Sequence, residues 1–138
     1  MEIIKINNKE IKNLNMNAND KDNKNENENY NAAEVKFIIE ALEALSNESR
    51  LKIFRMLVKA GHSGLTVTEM SKSLNMPMST LSFHLSKLSQ ANIVLFVKQS
   101  RFIIYSANFE SVNKLISYLT ESCCNGNPEE CFNDICKK

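Results

Sequence analysis

From Val35 to Leu88 apolar side chains recur every three or four residues. After Asn92 the repeat drops to two, and beyond Phe109 it returns to a helical period. A repeat of three to four lays one apolar stripe along a helix, whereas a repeat of two alternates across a strand. This order of periods commits the chain to packing helices around a small hairpin. In the first helical stretch Val35, Ile38, Ile39, Leu42 and Leu45 form one stripe. Ser46 or Asn47 offers an N-cap for a second helix, whose inward face is expected to hold Leu51, Phe54, Leu57 and Val58. Gly61 and Gly64 end that helix and make a turn. Thr68 is the next cap candidate, opening a short helix Thr68–Leu74 with Met70 and Leu74 inward. Asn75-Met76-Pro77 then makes a tight turn, because Asn tolerates left-handed backbone and Pro suits the first turn of a helix. The helix that follows, about Met78–Ala91, is expected to bury Leu81, Leu85 and Leu88.

Ile93–Val97 and Phe102–Ser106 are β-rich runs flanking the polar, basic tip Lys98-Gln99-Ser100-Arg101, which predicts a hairpin. A last helix, about Phe109–Ser122, carries Val112, Leu115, Ile116 and Leu119 on one face. Two short helices joined by a tight turn and followed at once by a hairpin read as a winged helix-turn-helix. The expected fold class is therefore mainly α with a small β-hairpin. The expected organisation is a disordered tail over residues 1–31, a DNA-binding and dimerisation domain over 32–122, and a cysteine-containing segment over 123–138.

Composition bears on function through its distribution. Residues 50–101 hold eight Lys and Arg against one acid, Glu69, a balance of +7, while residues 102–138 hold three lysines and five acids. A basic middle suits duplex DNA, because neutralising phosphates supplies most sequence-independent affinity; a solvated helix face is the plainer alternative. The tail over 1–31 places Asn at alternate positions from Asn13 to Asn19 and from Asn23 to Asn31, with five lysines and six acids overall. Such a segment has too little apolar surface to offset the entropy of ordering it. No apolar run approaches the length of a membrane span, and the N-terminus shows no secretory h-region. A cytoplasmic protein without membrane partners is expected. With three glycines in 138 residues and no nucleophile–base pair in a catalytic context, no enzymatic activity and no small organic substrate are expected either.

With Leu81, Leu85 and Leu88 inward, the reading helix presents Ser79, Thr80, Ser82, Phe83, Ser86 and Lys87, with His84 at the margin. Ser and Thr can bond bases or phosphates, Phe83 can touch a thymine methyl, and Lys87 can meet a phosphate. Lys98 and Arg101 on the wing can reach the backbone or the adjacent minor groove. Each has a duller alternative: His84 bonded within the domain, Phe83 packed under the wing, Lys98 and Arg101 as ordinary tip charges. Leu45-Ser46-Asn47-Glu48-Ser49-Arg50-Leu51-Lys52-Ile53 resembles the opening of the ArsR/SmtB family of metal-sensing repressors. The reading helix Met78-Ser79-Thr80-Leu81-Ser82-Phe83-His84-Leu85-Ser86-Lys87-Leu88 and the wing Arg101-Phe102-Ile103-Ile104-Tyr105-Ser106 are similar to it too. The resemblance covers roughly Ala32 to Cys131. It implies a homodimer built from the first and last helices that binds operator DNA ligand-free and lets go on binding ligand. Phe83, where many relatives are polar or basic, and Ser100, in place of a common turn glycine, are departures that bear on operator sequence and wing geometry.

Cys123, Cys124, Cys131 and Cys136 all follow the last helix. The Gly- and Pro-containing stretch from Asn125 to Glu130 can fold Cys131 back toward the adjacent pair. Thiolates select soft ions. Three suit trigonal-pyramidal As(III) or Sb(III); four, with Cys136, suit tetrahedral Zn(II) or Cd(II). Adjacent cysteines fit a closed zinc site poorly, since its usual spacing is wider. Iron or copper binding, or a redox switch pairing Cys123 or Cys124 with Cys131, stays open. A Cys-Cys pair followed by Gly, Pro-Glu and a third Cys is similar to the arsenite-responsive branch with a C-terminal site, which implies As(III) as inducer. Val67–Ser73, where other branches place cysteines, has none.

Overall fold

The computed structural model describes residues 31–127. Within it the order is α1 (Ala32–Leu45), α2 (Glu48–Ala60), a 3-10 turn (Gly61–Ser63), β1 (Leu65–Thr66), α3 (Val67–Leu74), α4 (Met78–Gln90), β2 (Val94–Gln99), β3 (Phe102–Ala107), α5 (Phe109–Thr120) and a second 3-10 turn (Cys123–Gly126). This is a mainly helical fold with a small sheet, a winged helix-turn-helix. The expected tail before Asn31, and Cys131 and Cys136, lie outside the described residues.

Every α-helix but α4, which opens at Pro77, starts at a side chain that serves an otherwise orphaned N–H. Asn31 Oδ1 accepts from Glu34 N at 2.9 Å while the Glu34 carboxylate accepts from Asn31 N, a closed capping box. Asn47, not Ser46, caps α2, taking the Arg50 N–H at 3.1 Å. The cap of α3 is Thr66 rather than Thr68. Its Oγ1 accepts from Glu69 N, and the Glu69 carboxylate accepts from Thr66 N at 2.8 Å. The reason is tertiary: Thr66 is extended because it pairs with Ile104 in the sheet, which is the backbone a cap needs. The turn between α3 and α4 uses left-handed Asn75 (φ 49°), as its sequence predicts. Ser71 locks that turn twice, its carbonyl accepting from Met76 N at 3.1 Å and its hydroxyl donating to Met76 O at 2.6 Å.

The sheet has three strands in the order β1-β3-β2, all antiparallel. The sequence predicts only the hairpin. β1 is two residues long, too short to show a period, and Gly64 makes it possible. At φ +67° a Cβ on Gly64 would lie 2.3 Å from the Tyr105 carbonyl oxygen. The β2–β3 hairpin is longer than expected: Lys98 and Gln99 pair with Ile103 and Phe102, so the tip shrinks to Ser100 (φ 58°) and Arg101.

The core gathers Ile38, Ala41 and Ala44 of α1, Ile53, Phe54 and Leu57 of α2, Met70 of α3, Leu81, Leu85 and Leu88 of α4, Ile93, Val94, Ala107 and Leu115. Two stripes are rotated from their expected positions. In α1 the small residues Ala41 and Ala44 face inward beside Ile38, which leaves Ile39 50% and Leu42 43% exposed. In α2 fully buried Ile53 takes the place expected of Leu51, which lies outside. Both helices carry apolar residues around more than half their circumference, so periodicity alone does not choose the inner side. α5 ends at Thr120, two residues early, because Ser122 turns left-handed (φ 51°). Among the described residues no helix is long and apolar enough to cross a membrane.

Candidate nucleic-acid interface

The reading helix α4 is fixed from within. Leu81, Leu85 and Leu88, one per turn, are fully buried. That stripe turns Ser79, Thr80, Ser82, Phe83, Ser86 and Lys87 outward, and all six are exposed. His84 sits at the margin, half-buried, and its Nδ1 is buried with no hydrogen-bond partner among the described residues. Phe83 does not pack under the wing: its ring is 57% exposed. Lys87 Nζ lies 5.6 Å from the Phe83 ring centroid, and the His84 ring meets Phe83 edge-on at 5.7 Å. The ammonium over the ring is a cation–π contact one helical turn along.

The wing places Lys98 near the end of β2 and Arg101 in the turn, both exposed. Residues 91–107 contain no acid, so Lys98 and Arg101 at the tip are the wing's only charges. Its base is held by a clamp that periodicity does not reveal. Asn108 Nδ2 donates to Asn92 O at 2.9 Å, Asn108 N donates to Ile93 O at 2.9 Å, and Asn108 Oδ1 accepts from Ser111 N at 3.3 Å. One side chain thus closes the hairpin and caps α5. The available signal is an Asn at each foot of the β-rich stretch, one of them left-handed Asn92 (φ 59°).

Not all of the basic middle faces the same way. Arg50 is half-buried and its Nε donates to Ala44 O at 2.6 Å. It tethers the orphaned carbonyls at the end of α1 instead of offering charge to a ligand. Lys52 is paired with Glu48, whose carboxyl is held below its ordinary pKa by the Lys52 hydrogen bond and charge.

Cys123 is half-buried and Cys124 exposed, both in the 3-10 turn just beyond α5. The backbone there is left-handed at Ser122, Cys124, Asn125 and Gly126, an uncommon run for residues with a Cβ. Among the described residues no three His, Cys, Asp or Glu side chains are grouped to hold a metal ion. Cys131, the expected third thiol, lies outside them. His62 meets the Phe109 ring at a tilt, with centroids 4.9 Å apart, and His84 belongs to α4; among the described residues neither histidine joins the cysteine pair in a metal-holding group.

A family model described as a helix-turn-helix domain matches residues 45–95. The transcriptional activator HlyU of Vibrio cholerae is 33% identical over 86 residues, which are 62% of this chain and 77% of that protein. The arsenical resistance operon repressor of Bacillus subtilis is 31% identical over 85 residues, again 62% of this chain and 77% of the relative. The solved structure of an ArsR-like transcriptional regulator from Rhodococcus superposes with a TM-score of 0.57 at 25% identity, covering 63% of this chain and 79% of that one. The matched share of the relatives' own length runs from 21% to 93%. Four relatives are described as transcriptional regulators, activators or repressors.

Proposed function

Because the chain belongs to the ArsR/SmtB family of helix-turn-helix transcriptional regulators, we propose that it is a homodimeric repressor released from operator DNA by trivalent arsenic bound at its C-terminal cysteines. The observation that carries this reading is a continuity. α5 leaves Ile116 44% and Leu119 58% exposed, and within five residues of Leu119 the same chain reaches Cys123 and Cys124. Exposed apolar residues on α5 and on α1 (Ile39, Leu42) supply the two faces a dimer would bury.

In this reading α4 of each protomer enters the major groove, and Ser79, Thr80, Ser82, Phe83, His84, Ser86 and Lys87 meet bases and phosphates. Lys98 and Arg101 of the wing hold the flanking backbone. Two dimer-related reading helices reach successive grooves only at a separation of about 34–36 Å. The donor set suits a soft ion: two adjacent thiols, with Cys131 as the third and Cys136 to spare. As(III) or Sb(III), when bound, supplies one centre that three thiolates share. Gathering Cys123, Cys124 and Cys131 bends the chain at the left-handed segment and shifts the end of α5. The dimer face on α5 then moves with it, and the separation of the reading helices changes. Release follows only to the extent that the ion prefers the DNA-free arrangement. The named relatives include both an activator and a repressor; the cysteine pair beside the dimer face favours release, hence repression.

The test is fluorescence anisotropy of the reduced full chain on duplex DNA from its own promoter, titrated separately with arsenite, zinc and cadmium. Release near one equivalent of arsenite per subunit, with zinc and cadmium without effect, is expected. Cys124→Ser should bind the same duplex and ignore arsenite. Release by zinc or cadmium alone would reassign the site to four thiolates, and release only on oxidation would make it a redox switch.

A further inference from the structure

The outward face of α4 is made mostly of short hydroxyl side chains; Lys87 is its charge, and past Met78 in the first turn Phe83 is its one large apolar group. Ser79, Thr80, Ser82 and Ser86 surround Phe83, whose ring stands clear of them and is 57% exposed. Each neighbour can donate to or accept from a base edge or a phosphate; Phe83 can do neither. Nor is the ring loose. Lys87 Nζ lies over it at 5.6 Å, and His84, anchored by its half-buried position, meets its edge at 5.7 Å. A large apolar group is therefore held outward at the centre of a polar reading face, and the core has no use for it.

The chemistry of the major groove limits what such a group can read. Its floor shows acceptors at G N7 and O6, A N7 and T O4, and donors at A N6 and C N4. Its one apolar feature is the C5-methyl of thymine. We propose that Phe83 is a specificity-determining residue, selecting thymine at one position of each half-site by packing its ring on the 5-methyl group. Lys87, one turn along and already over the ring, takes a neighbouring phosphate and fixes the ring's approach. The inference rests on the DNA-binding reading above and adds the identity of a base.

The experiment removes the methyl and nothing else. In the duplex that the wild-type chain protects within its own promoter, each thymine is replaced singly by deoxyuridine, which pairs identically. Affinities are measured for wild type, Phe83→Ala and Phe83→Leu at one salt concentration. Wild type should weaken about four-fold at one thymine per half-site, the worth of one buried methyl, and about fifteen-fold with both replaced. Phe83→Ala should bind thymine DNA more weakly and lose less than two-fold on replacement, while Phe83→Leu keeps part of the discrimination. Unchanged circular dichroism and unchanged thermal-unfolding midpoints show that the variants are folded. Equal methyl sensitivity in wild type and Phe83→Ala, or no sensitive thymine at all, overturns the inference and leaves the regulator reading standing. Failure of the wild type to bind any duplex overturns the regulator reading itself.

Discussion

The reading helix and the wing both face outward, and they are built on opposite rules. α4 buries one leucine per turn and shows hydroxyls, a lysine and a single aromatic ring. The hairpin shows Leu95, Phe96, Val97, Phe102 and Ile103, all exposed, and keeps its charges for the tip. The foot of the hairpin, Val94 and Ala107, reaches the core, and Tyr105 packs against it. From Ile103 to the tip both faces of the two-stranded ribbon lie in solvent, so alternation there sorts nothing into an inside. The helix is thus positioned by side-chain packing. The wing is positioned by its backbone ladder, by the Asn92–Asn108 clamp and by the short third strand. One element is held by its side chains, the other by its main chain.

That contrast breaks first under core truncation. Leu85→Ala should cost about 2–5 kcal/mol of unfolding free energy, through lost burial and a cavity under the reading helix. Val97→Ala, on the exposed wing, should stay within about 0.5 kcal/mol. Paired urea titrations check this; equal losses would mean that the wing packs against something as the core does. Main-chain disruption should reverse the order. Gly64→Ala puts a Cβ 2.3 Å from Tyr105 O at φ +67°, and should cost about 1–3 kcal/mol. Amide exchange should show the loss concentrated in β1 and β3, with α4 protected as before. The smallest effect lies at the joint between the two systems. Thr66→Ala removes the cap of α3 and should cost about 1 kcal/mol. Hydrogen bonds from Thr66, its backbone N–H first and then its hydroxyl, hold the Glu69 carboxyl below its ordinary 4.5. A carboxyl lowered on folding adds stability above its unfolded value, and that stability is lost as pH falls through the lower folded value. The wild type should therefore lose a little stability below pH 4.5, and Thr66→Ala should lose less over that range; denaturant midpoints against pH show the difference.

The same division separates what could be read from the sequence. The helix-turn-helix was legible almost to the residue, because its signals are local. Asn75 is left-handed, and Leu81, Leu85 and Leu88 define a single narrow stripe. The outward residues of α4 follow from that stripe alone. Arg50 shows the limit of counting charge: it belongs to the basic middle by composition, and to the end of α1 by its hydrogen bonds.

By itself, then, the sequence determined the order of elements, the tight turn and the polar face of the reading helix, since each depends on partners three or four residues away. Tertiary structure alone decided that Thr66 caps α3, that Leu65 and Thr66 add a strand, and that Lys98 lies on a strand and not in the tip. It also decided which side of α1 and α2 faces inward. Strand pairing joins Leu65 to Tyr105 across forty residues of chain, and no local pattern records so distant a partner. An amphipathic helix apolar on more than one side takes its inner face from whichever neighbour fits it, here the close approach that Ala41 and Ala44 allow.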